Sequence, residues 1–589
     1  MKTRRKSGFV ALRLASCALF VVMVNAAVAQ VTPPGLGGAS VDELQHGVQP
    51  RQVGGLPTND AAPAAKSQHD ESPADDFTPP IEIKGFRLTG ETVFEEALLL
   101  KVANAVPGDY TFRQIQEIAN RIKLYYREHG YLVADTIVPA QESRDGVIHI
   151  RVVEGRLEGQ PTVSSSDSSV DNAIHNIYAA AVCANVPIDS ATQTCGGDLA
   201  TSGLIERVVL LARENTGYEV YAELSPGGEP GYTHMALNAT PGRKVAGEVV
   251  FDNYGGEATG VWRGQGHVVA RSLLTTGDIL DGIGGLSNKP TRYQFFQIDY
   301  SAPVGAKGWR AGVNFGQTNY SLSGSFSALR ATGTSRSIGI YARYPLVLRS
   351  DLRTDVTVSL KGGQLRDDNA LFENPRLYWT ASADLAGRID DTWIGSPAVS
   401  LWGIRVDHGS VRITDMVQQA LDNYFLHTAG SFNRITVRGS REQALIGSLS
   451  MFAGVTALVG DKNLDPYFKF SLGGPYAVRA YPSGEASGDQ GVLGSIELRY
   501  ALPPVSVFDH TLGARVSAFY DTGWVRNNRY PYPGVVNNTS LRSGAGLQVE
   551  LTDAQLFSLR VFWATAVGSG ASTNDGARSR VGVMVSGAF

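Results

Sequence analysis

Charge is scarce in this chain. Asp, Glu, Lys and Arg make up 18% of its 589 residues, against a usual fraction of about 25%. A formal net charge of −4 argues against a nucleic-acid partner. Cysteine is rarer still: the spacing of Cys183 and Cys195 excludes a CxxC redox site, and no cluster of further ligands suggests zinc. Long apolar runs are also missing. The mean hydropathy of −0.09 is far too low for a helical membrane bundle, so any membrane span must be a closed barrel. No GxxxxGK[ST], HExxH or GxSxG occurs, and the ten histidines are dispersed, so neither an enzyme nor a cofactor is expected.

Glycine, by contrast, is abundant, with 66 residues. Low charge, high glycine and neutral hydropathy suit a β-rich protein with two unlike faces. The N-terminus reads as a secretory signal over residues 1–29. Lys2, Arg4, Arg5 and Lys6 precede an apolar stretch from Leu14 to Val24, and Ala27-Val28-Ala29 supplies the cleavage pattern. The apolar run is short of the about 20 residues that a membrane anchor needs, and Arg13 argues against lipidation at Cys17. Removing the signal's five basic residues leaves 47 against 56 acidic ones, a mature charge of −9. In the oxidising compartment that such a signal implies, Cys183 and Cys195 are expected to form a disulfide.

Residues 30–76, punctuated by proline and glycine, form a linker that cannot bury a core. Ser40 could cap one short helix within it, Val41 to His46. Residues 77–158 read as β-α-α-β-β. A strand covers Ile81 to Phe86 and a helix Val93 to Ala105. Thr111 caps a second helix with Ile115, Ile118, Ile122 and Tyr125 at helical spacing, and Gly130 stops it at the C-cap. Strands Tyr131 to Val138 and Val147 to Val153 follow. Residues 159–240 repeat that order more loosely, with helices over Val170 to Cys183 and Leu199 to Asn215 and strands over Tyr218 to Leu224 and Tyr232 to Ala239.

From about residue 245 the helical signal ends and strict alternation begins. Leu352, Thr354, Val356, Val358 and Leu360 share one face; Arg353, Asp355, Thr357, Ser359 and Lys361 share the other. Phe468, Phe470 and Leu472 oppose Lys469 and Ser471, and Ile496, Leu498 and Tyr500 oppose Ser495, Glu497 and Arg499. A transmembrane barrel turns such an apolar face to lipid and the polar one to its lumen. The segment from 245 to 589 allows about sixteen strands at roughly 22 residues per strand and loop, against about 9–11 needed to span. The last strand, Val581 to Phe589, ends on an aromatic residue, and in this it resembles the bacterial outer-membrane barrels.

Several short motifs occur in one order: Tyr126-Arg127-Glu128-His129-Gly130-Tyr131, Pro139-Ala140-Gln141, Val153-Glu154-Gly155, Asp252-Asn253-Tyr254-Gly255, Thr259-Gly260, Gly277-Asp278, Val478-Arg479-Ala480-Tyr481 and Phe519-Tyr520-Asp521-Thr522-Gly523. Over essentially the whole mature chain they resemble the outer-membrane transporters of two-partner secretion, the TpsB family of the POTRA-plus-barrel superfamily. The resemblance implies α+β periplasmic POTRA domains (77–158 and 159–240), then an all-β transmembrane barrel of about 16 antiparallel strands over 241–589. It implies a large secreted partner protein of haemolysin or adhesin type, outer-membrane lipid around the barrel, and a barrel assembly machinery that reads Phe589. The alternative is a barrel-assembly insertase of the same superfamily. The Val-Arg-Gly-Tyr pattern has alanine at Ala480; at φ > 0 this would cost about 1 kcal/mol.

Asp521 shares the lumen face of its strand with Ser517, Phe519 and Gly523, while Val516, Ala518, Tyr520 and Trp524 face lipid. The resemblance implies that the loop bearing Arg479 folds back and pairs with Asp521. It also implies that the Val41–His46 helix plugs the resting pore. Deleting residues 30–60 should then raise conductance in planar bilayers; an unchanged conductance would contradict the plug.

Overall fold

The computed structural model describes residues 79–589 apart from 143–144, 184–196, 508–509, 534, 554–555, 569–572 and 574–575. The signal segment, the linker, its candidate plug helix and Cys195 lie outside the described residues. Among the described residues no helix is long and apolar enough to cross a membrane.

The first module runs β1 (Ile81–Ile83), β2 (Gly85–Thr89), α1 (Glu96–Val102), β3 (Gly108–Tyr110), α2 (Phe112–Glu128), β4 (Asp135–Ile137) and β5 (Val147–Val153). The expected single strand over Ile81–Phe86 is split at Lys84. Its first half pairs with β3, and its second half runs parallel to β5, which β4 joins on the other side. α2 starts as expected: Thr111 accepts from the Gln114 N–H, and the Gln114 side chain accepts from the Thr111 N–H. This capping box satisfies two otherwise orphaned donors. Ile115, Ile118, Ile122 and Tyr126 form its buried stripe against the sheet. The C-cap is His129, not Gly130; the glycine stands one residue beyond, at φ 91°, the usual place for a left-handed residue.

Glu154 ties this module together. It is buried and accepts from the Thr92 hydroxyl and N–H, from the Val93 N–H at 2.8 Å and from the Tyr126 hydroxyl at 3.0 Å. Burial alone would raise its pKa, but these donors together hold it below the ordinary value.

The second module contains β6 (Arg156–Leu157), β7 (Thr162–Ser164), α3 (Ser168–Val182), α4 (Ser202–Thr216), β8 (Tyr218–Pro226) and β9 (Tyr232–Pro241). β7 runs parallel to β9 and β8 antiparallel to it, which repeats the pairing of β2 and β4 around β5. Asp167 and Thr201 cap the two helices, whose apolar faces pack on each other and on the sheet. Cys183, at the C-cap of α3, is disulfide-bonded.

Eleven strands then rise and fall as a meander: β10 (Val245–Asp252), β11 (Arg263–Arg271), β12 (Ile279–Ser287), β13 (Tyr293–Val304), β14 (Trp309–Ser321), β15 (Thr332–Leu348), β16 (Leu352–Asp368), β17 (Glu373–Asp391), β18 (Ala398–Ile413), β19 (Gly430–Ala444) and β20 (Leu449–Gly460). A short hairpin, β21 (Phe470–Leu472) and β22 (Ala486–Gly488), interrupts them. The meander resumes with β23 (Gln490–Val507), β24 (His510–Arg526), β25 (Thr539–Asp553), β26 (Phe557–Ala566) and β27 (Ser579–Ala588). β10 pairs with β27, so the antiparallel sheet closes into a barrel of sixteen strands without β21 and β22. Outward residues such as Val358, Leu360, Ile496 and Leu498 are about half exposed, as a lipid-facing band requires.

Two expectations are corrected here. Phe470 and Leu472 alternate with polar neighbours but belong to β21, not to a membrane strand. Their side chains are buried in a cluster with Phe432, Phe468 and Val525. Alternation reports two unlike faces, and an internal hairpin has them as well as a wall strand does. Nor does Ala480 take a positive φ; it is fully buried, so the cost that a left-handed alanine would carry does not arise.

The second module docks on the barrel rim from which β10 starts, which fixes that rim as the one next to the periplasmic modules. Glu214 of α4 forms ion pairs with Arg353 and, at 3.6 Å, with Arg343. Its carbonyl accepts from Arg310 at 2.8 Å, and Arg207 donates to the Tyr344 hydroxyl at 3.1 Å.

Replacing Glu154 by glutamine should loosen the first module, leaving donors unmatched at a cost of about 2 kcal/mol. Because the folded pKa is depressed, the stabilisation is full above the ordinary glutamate value of about 4.3 and is lost as pH falls through the lowered folded value. The protection factors of the β2 and α2 amides in the full chain, referred to the intrinsic exchange rate at each pH, should therefore fall in Glu154→Gln at pH 7 and in the unsubstituted protein on acidification; unchanged protection factors in both would contradict this role.

Candidate functional site

The chain between β20 and β23, residues 461–489, does not project from the far rim but folds back into the lumen. Three glycines with positive φ, Gly473, Gly474 and Gly484, let it reverse direction. At its tip Val478, Arg479, Ala480 and Tyr481 form a tight turn, with the Tyr481 N–H donating to the Val478 carbonyl at 3.1 Å and the Gly474 N–H to the Tyr481 carbonyl at 2.9 Å. All four residues are buried.

The turn presents Arg479 to β24. Its Nε lies 2.8 Å from Asp521 Oδ2 and its Nη2 2.7 Å from Oδ1, a two-pronged pairing. The Arg479 backbone N–H also donates to Asp521 Oδ2 at 3.2 Å. The guanidinium carbon sits 3.4 Å from the centre of the Phe519 ring, in cation–π geometry. Phe519, Asp521 and Gly523 thus act on one face of one strand: ring under the cation, carboxylate at its edge, and a glycine where a Cβ would come within 2.5 Å of the Leu472 side chain. Gly544 on β25 makes room in the same way, since a Cβ there would stand 2.6 Å from that of Ala480. This accommodates a methyl at the turn where the family pattern has none.

The lumen wall adds partners that the sequence motifs do not contain. Glu497 lies 2.8 Å from Arg479 and is itself held by Arg499 at 2.7 Å, which reaches on to Glu442. Ser495 donates to Asp521 at 2.7 Å, and Gln548 accepts from Arg479 at 3.4 Å. Period-2 alternation places Ser495 and Glu497 on the lumen side. Register brings them to the site, because Ser495 stands opposite Asp521 and Glu497 opposite Phe519.

The first hairpin of the barrel joins the same cluster. Tyr254 packs among Val478, Ala480, Tyr481, Phe519 and Phe562, and its carbonyl accepts from Ser483 at 3.2 Å. Asp252 is fully buried and accepts from Arg263 and Gln265 at 2.8 and 2.9 Å. Asn253 lies at the closing seam: its side chain donates to the Val581 carbonyl at 2.9 Å and accepts from the Val583 N–H at 2.8 Å. Asp278 lies elsewhere, in the turn at the docked rim, where it accepts from the N–H groups of Leu273, Leu274 and Thr275. Phe589 exchanges backbone hydrogen bonds with Gly247 beside the seam, its ring lying where a Cβ on that glycine would be.

Among the described residues no group of His, Cys, Asp and Glu could hold a metal. The arrangement ties the loop tip to the barrel wall through ion pairs set beside an apolar cluster. Replacing Asp521 by alanine leaves a buried cation without its main partner, a loss of about 3–5 kcal/mol. A cysteine at Ser483 should then become reactive to a membrane-impermeant maleimide added from outside; equal labelling with and without Asp521→Ala would contradict the tie.

Residues 81–155 match the ShlB-type POTRA domain, and residues 273–582 match the Omp85 superfamily domain. The heme/hemopexin transporter protein HuxB of Haemophilus influenzae is 26% identical over 480 residues, 80% of each chain. The outer membrane transporter CdiB of Escherichia coli is 23% identical over 440 residues, 68% of this chain and 65% of that one. In three dimensions the chain is similar to CdiB from Escherichia coli, with a TM-score of 0.68 at 19% identity, covering 89% of this chain and 93% of the other. It is also similar to CdiB from Acinetobacter baumannii, with a TM-score of 0.62 at 16% identity over 93% and 97%. The superfamily match extends over more than half of the chain and the POTRA match precedes it, so the chain belongs to the Omp85 superfamily, in its two-partner secretion branch of outer-membrane transporters.

Proposed function

We propose that this transporter captures one unfolded exported protein on its periplasmic modules, threads it through the barrel and releases it to fold outside. The observation that carries this reading is the combination of a docked module at one mouth with an internal loop that enters the lumen and whose tip is tied to the wall by ion pairs as well as by apolar packing. The ion pairs at the tip can be exchanged for contacts with water or with a passing polypeptide, which compensates the polar part of the loop's release. The outward folding of the cargo supplies direction, since a refolded chain cannot re-enter a pore that admits only an extended one.

Residues 159–240 act as a second POTRA domain in this scheme; the repeated strand pairing supports that assignment. The cargo enters as an added strand. β4 of the first module and β8 of the second stand at sheet edges, and an extended peptide can complete such an edge through main-chain hydrogen bonds. Phe589 serves as the signal read by the barrel assembly machinery, a role supported by its place beside the closing seam.

Deleting the gene and comparing secreted and outer-membrane proteins tests the proposal. The expected result is loss of one large exported species with the other barrels unchanged. A general loss of outer-membrane barrels would contradict it and favour a barrel-assembly insertase.

A further inference from the structure

The lipid-facing surface of β14 to β18 changes character abruptly toward the rim remote from the periplasmic modules. Its lower part is apolar: Val313 and Phe315, Ile338 and Ile340, Val358 and Leu360, and Ile404 and Val406 are all exposed. One row across these strands is aligned by register as Phe315, Ile338, Gly362, Trp379 and Ser410. Trp379, 42% exposed, is an aromatic of the type that barrels place at the membrane interface. Two residues further along every strand, on the same face, the aligned row is Gln317, Arg336, Gln364, Leu377 and Arg412.

That row holds two cations and no anion. Arg336 is exposed and makes one hydrogen bond, from Nε to Gln317 at 3.1 Å. Arg412 is exposed, and among the described residues neither arginine has a carboxylate partner. The neighbouring carboxylates are already engaged: Arg366, one row higher, binds Asp368 at 2.7 Å and Glu373 at 2.6 Å. Three strand spacings separate Arg336 from Arg412, about 14 Å. Both guanidiniums point away from the lumen, so neither serves the transport path.

An arginine kept on the lipid side, beyond the exposed Trp379 and without an anionic partner among the described residues, meets the headgroups of the outer leaflet. Arginine's planar fork suits phosphate oxygens, and the amides of Gln317 and Gln364 add neutral polar contacts between and beside the two cations. We propose that this row is a binding site for the phosphorylated glycolipid of the outer leaflet, with Arg336 and Arg412 each holding a phosphate of one headgroup. Such a site ties the barrel face opposite to the cargo path to its membrane and sets the height at which it rides.

The test uses the full-length protein in mild detergent, with native mass spectrometry counting bound lipid. The probes are bisphosphorylated lipid A, its dephosphorylated form, phosphatidylglycerol and inorganic phosphate. Bisphosphorylated lipid A should bind, and the double variant Arg336→Gln/Arg412→Gln should bind it at least fivefold more weakly while keeping the heat-modifiable gel mobility of a folded barrel. Equal binding by the variant would overturn the assignment to these residues. Should the variant fail to fold, the unsubstituted protein still decides: dephosphorylated lipid A binding as well as the phosphorylated form would overturn the phosphate contact. Equal displacement by phosphatidylglycerol or inorganic phosphate would overturn the choice of glycolipid, reducing the row to a general anion contact.

Discussion

Everything in the membrane domain depends on how one buried arginine is paid for. Arg479 is buried inside the barrel, and a cation there is tolerated only if its donors are matched. Asp521 takes two of them, Glu497, Ser495 and Gln548 take others, and the Phe519 ring covers the face of the guanidinium. These acceptors come from three adjacent wall strands, β23, β24 and β25, whose register is fixed by closure of the sheet. The loop is therefore held by the barrel as a whole, and any change in strand register would unmake the site.

The steric pattern agrees with the electrostatic one. Gly523, Gly544 and Gly546 remove side chains where Leu472, Ala480 and Phe519 approach the wall. Each glycine is a position at which the loop or the ring beneath it takes up space that a wall residue would otherwise occupy. The seam is built differently. β10 and β27 share five aligned residue pairs, far fewer than β16 and β17, and Asn253 extends the contact with its side chain. The barrel thus combines a strongly tied interior with a lightly joined seam, and a module docked by Glu214 at the mouth on β14, β15 and β16.

Much of this was legible in the sequence. Strict alternation shows which residues of β16, β23 and β24 face lipid, and it puts Asp521 in the lumen without any knowledge of relatives. The Thr111 cap and the helical spacing of Ile115, Ile118, Ile122 and Tyr125 locate α2, although the fully buried tyrosine is the next one, Tyr126. What alternation cannot report is register, and register is what brings Glu497 and Ser495 to Arg479. It also cannot distinguish a wall strand from an internal hairpin, hence the reversal at Phe470 and Leu472. Ala480 is instructive in another way. Its fit depends on Gly544, more than sixty positions away, and no local rule for glycine turns contains that contact. The docking role of Glu214 is likewise invisible, since α4 reads as an ordinary amphipathic helix until its partners Arg343 and Arg353 are placed beside it.

A simple exchange of charges between positions 479 and 521 is a poor probe of this arrangement, because an acidic residue at 479 would face Glu497 and lose the Phe519 ring. The direct measurement is the coupling between Arg479→Ala and Asp521→Ala in a double-mutant cycle, read from the denaturant unfolding of the barrel in lipid vesicles. If the pair ties the loop to the wall, the double variant is less destabilised than the sum of the two singles by about 2 kcal/mol or more. Strict additivity, with each substitution acting as though the other residue were absent, would contradict the account.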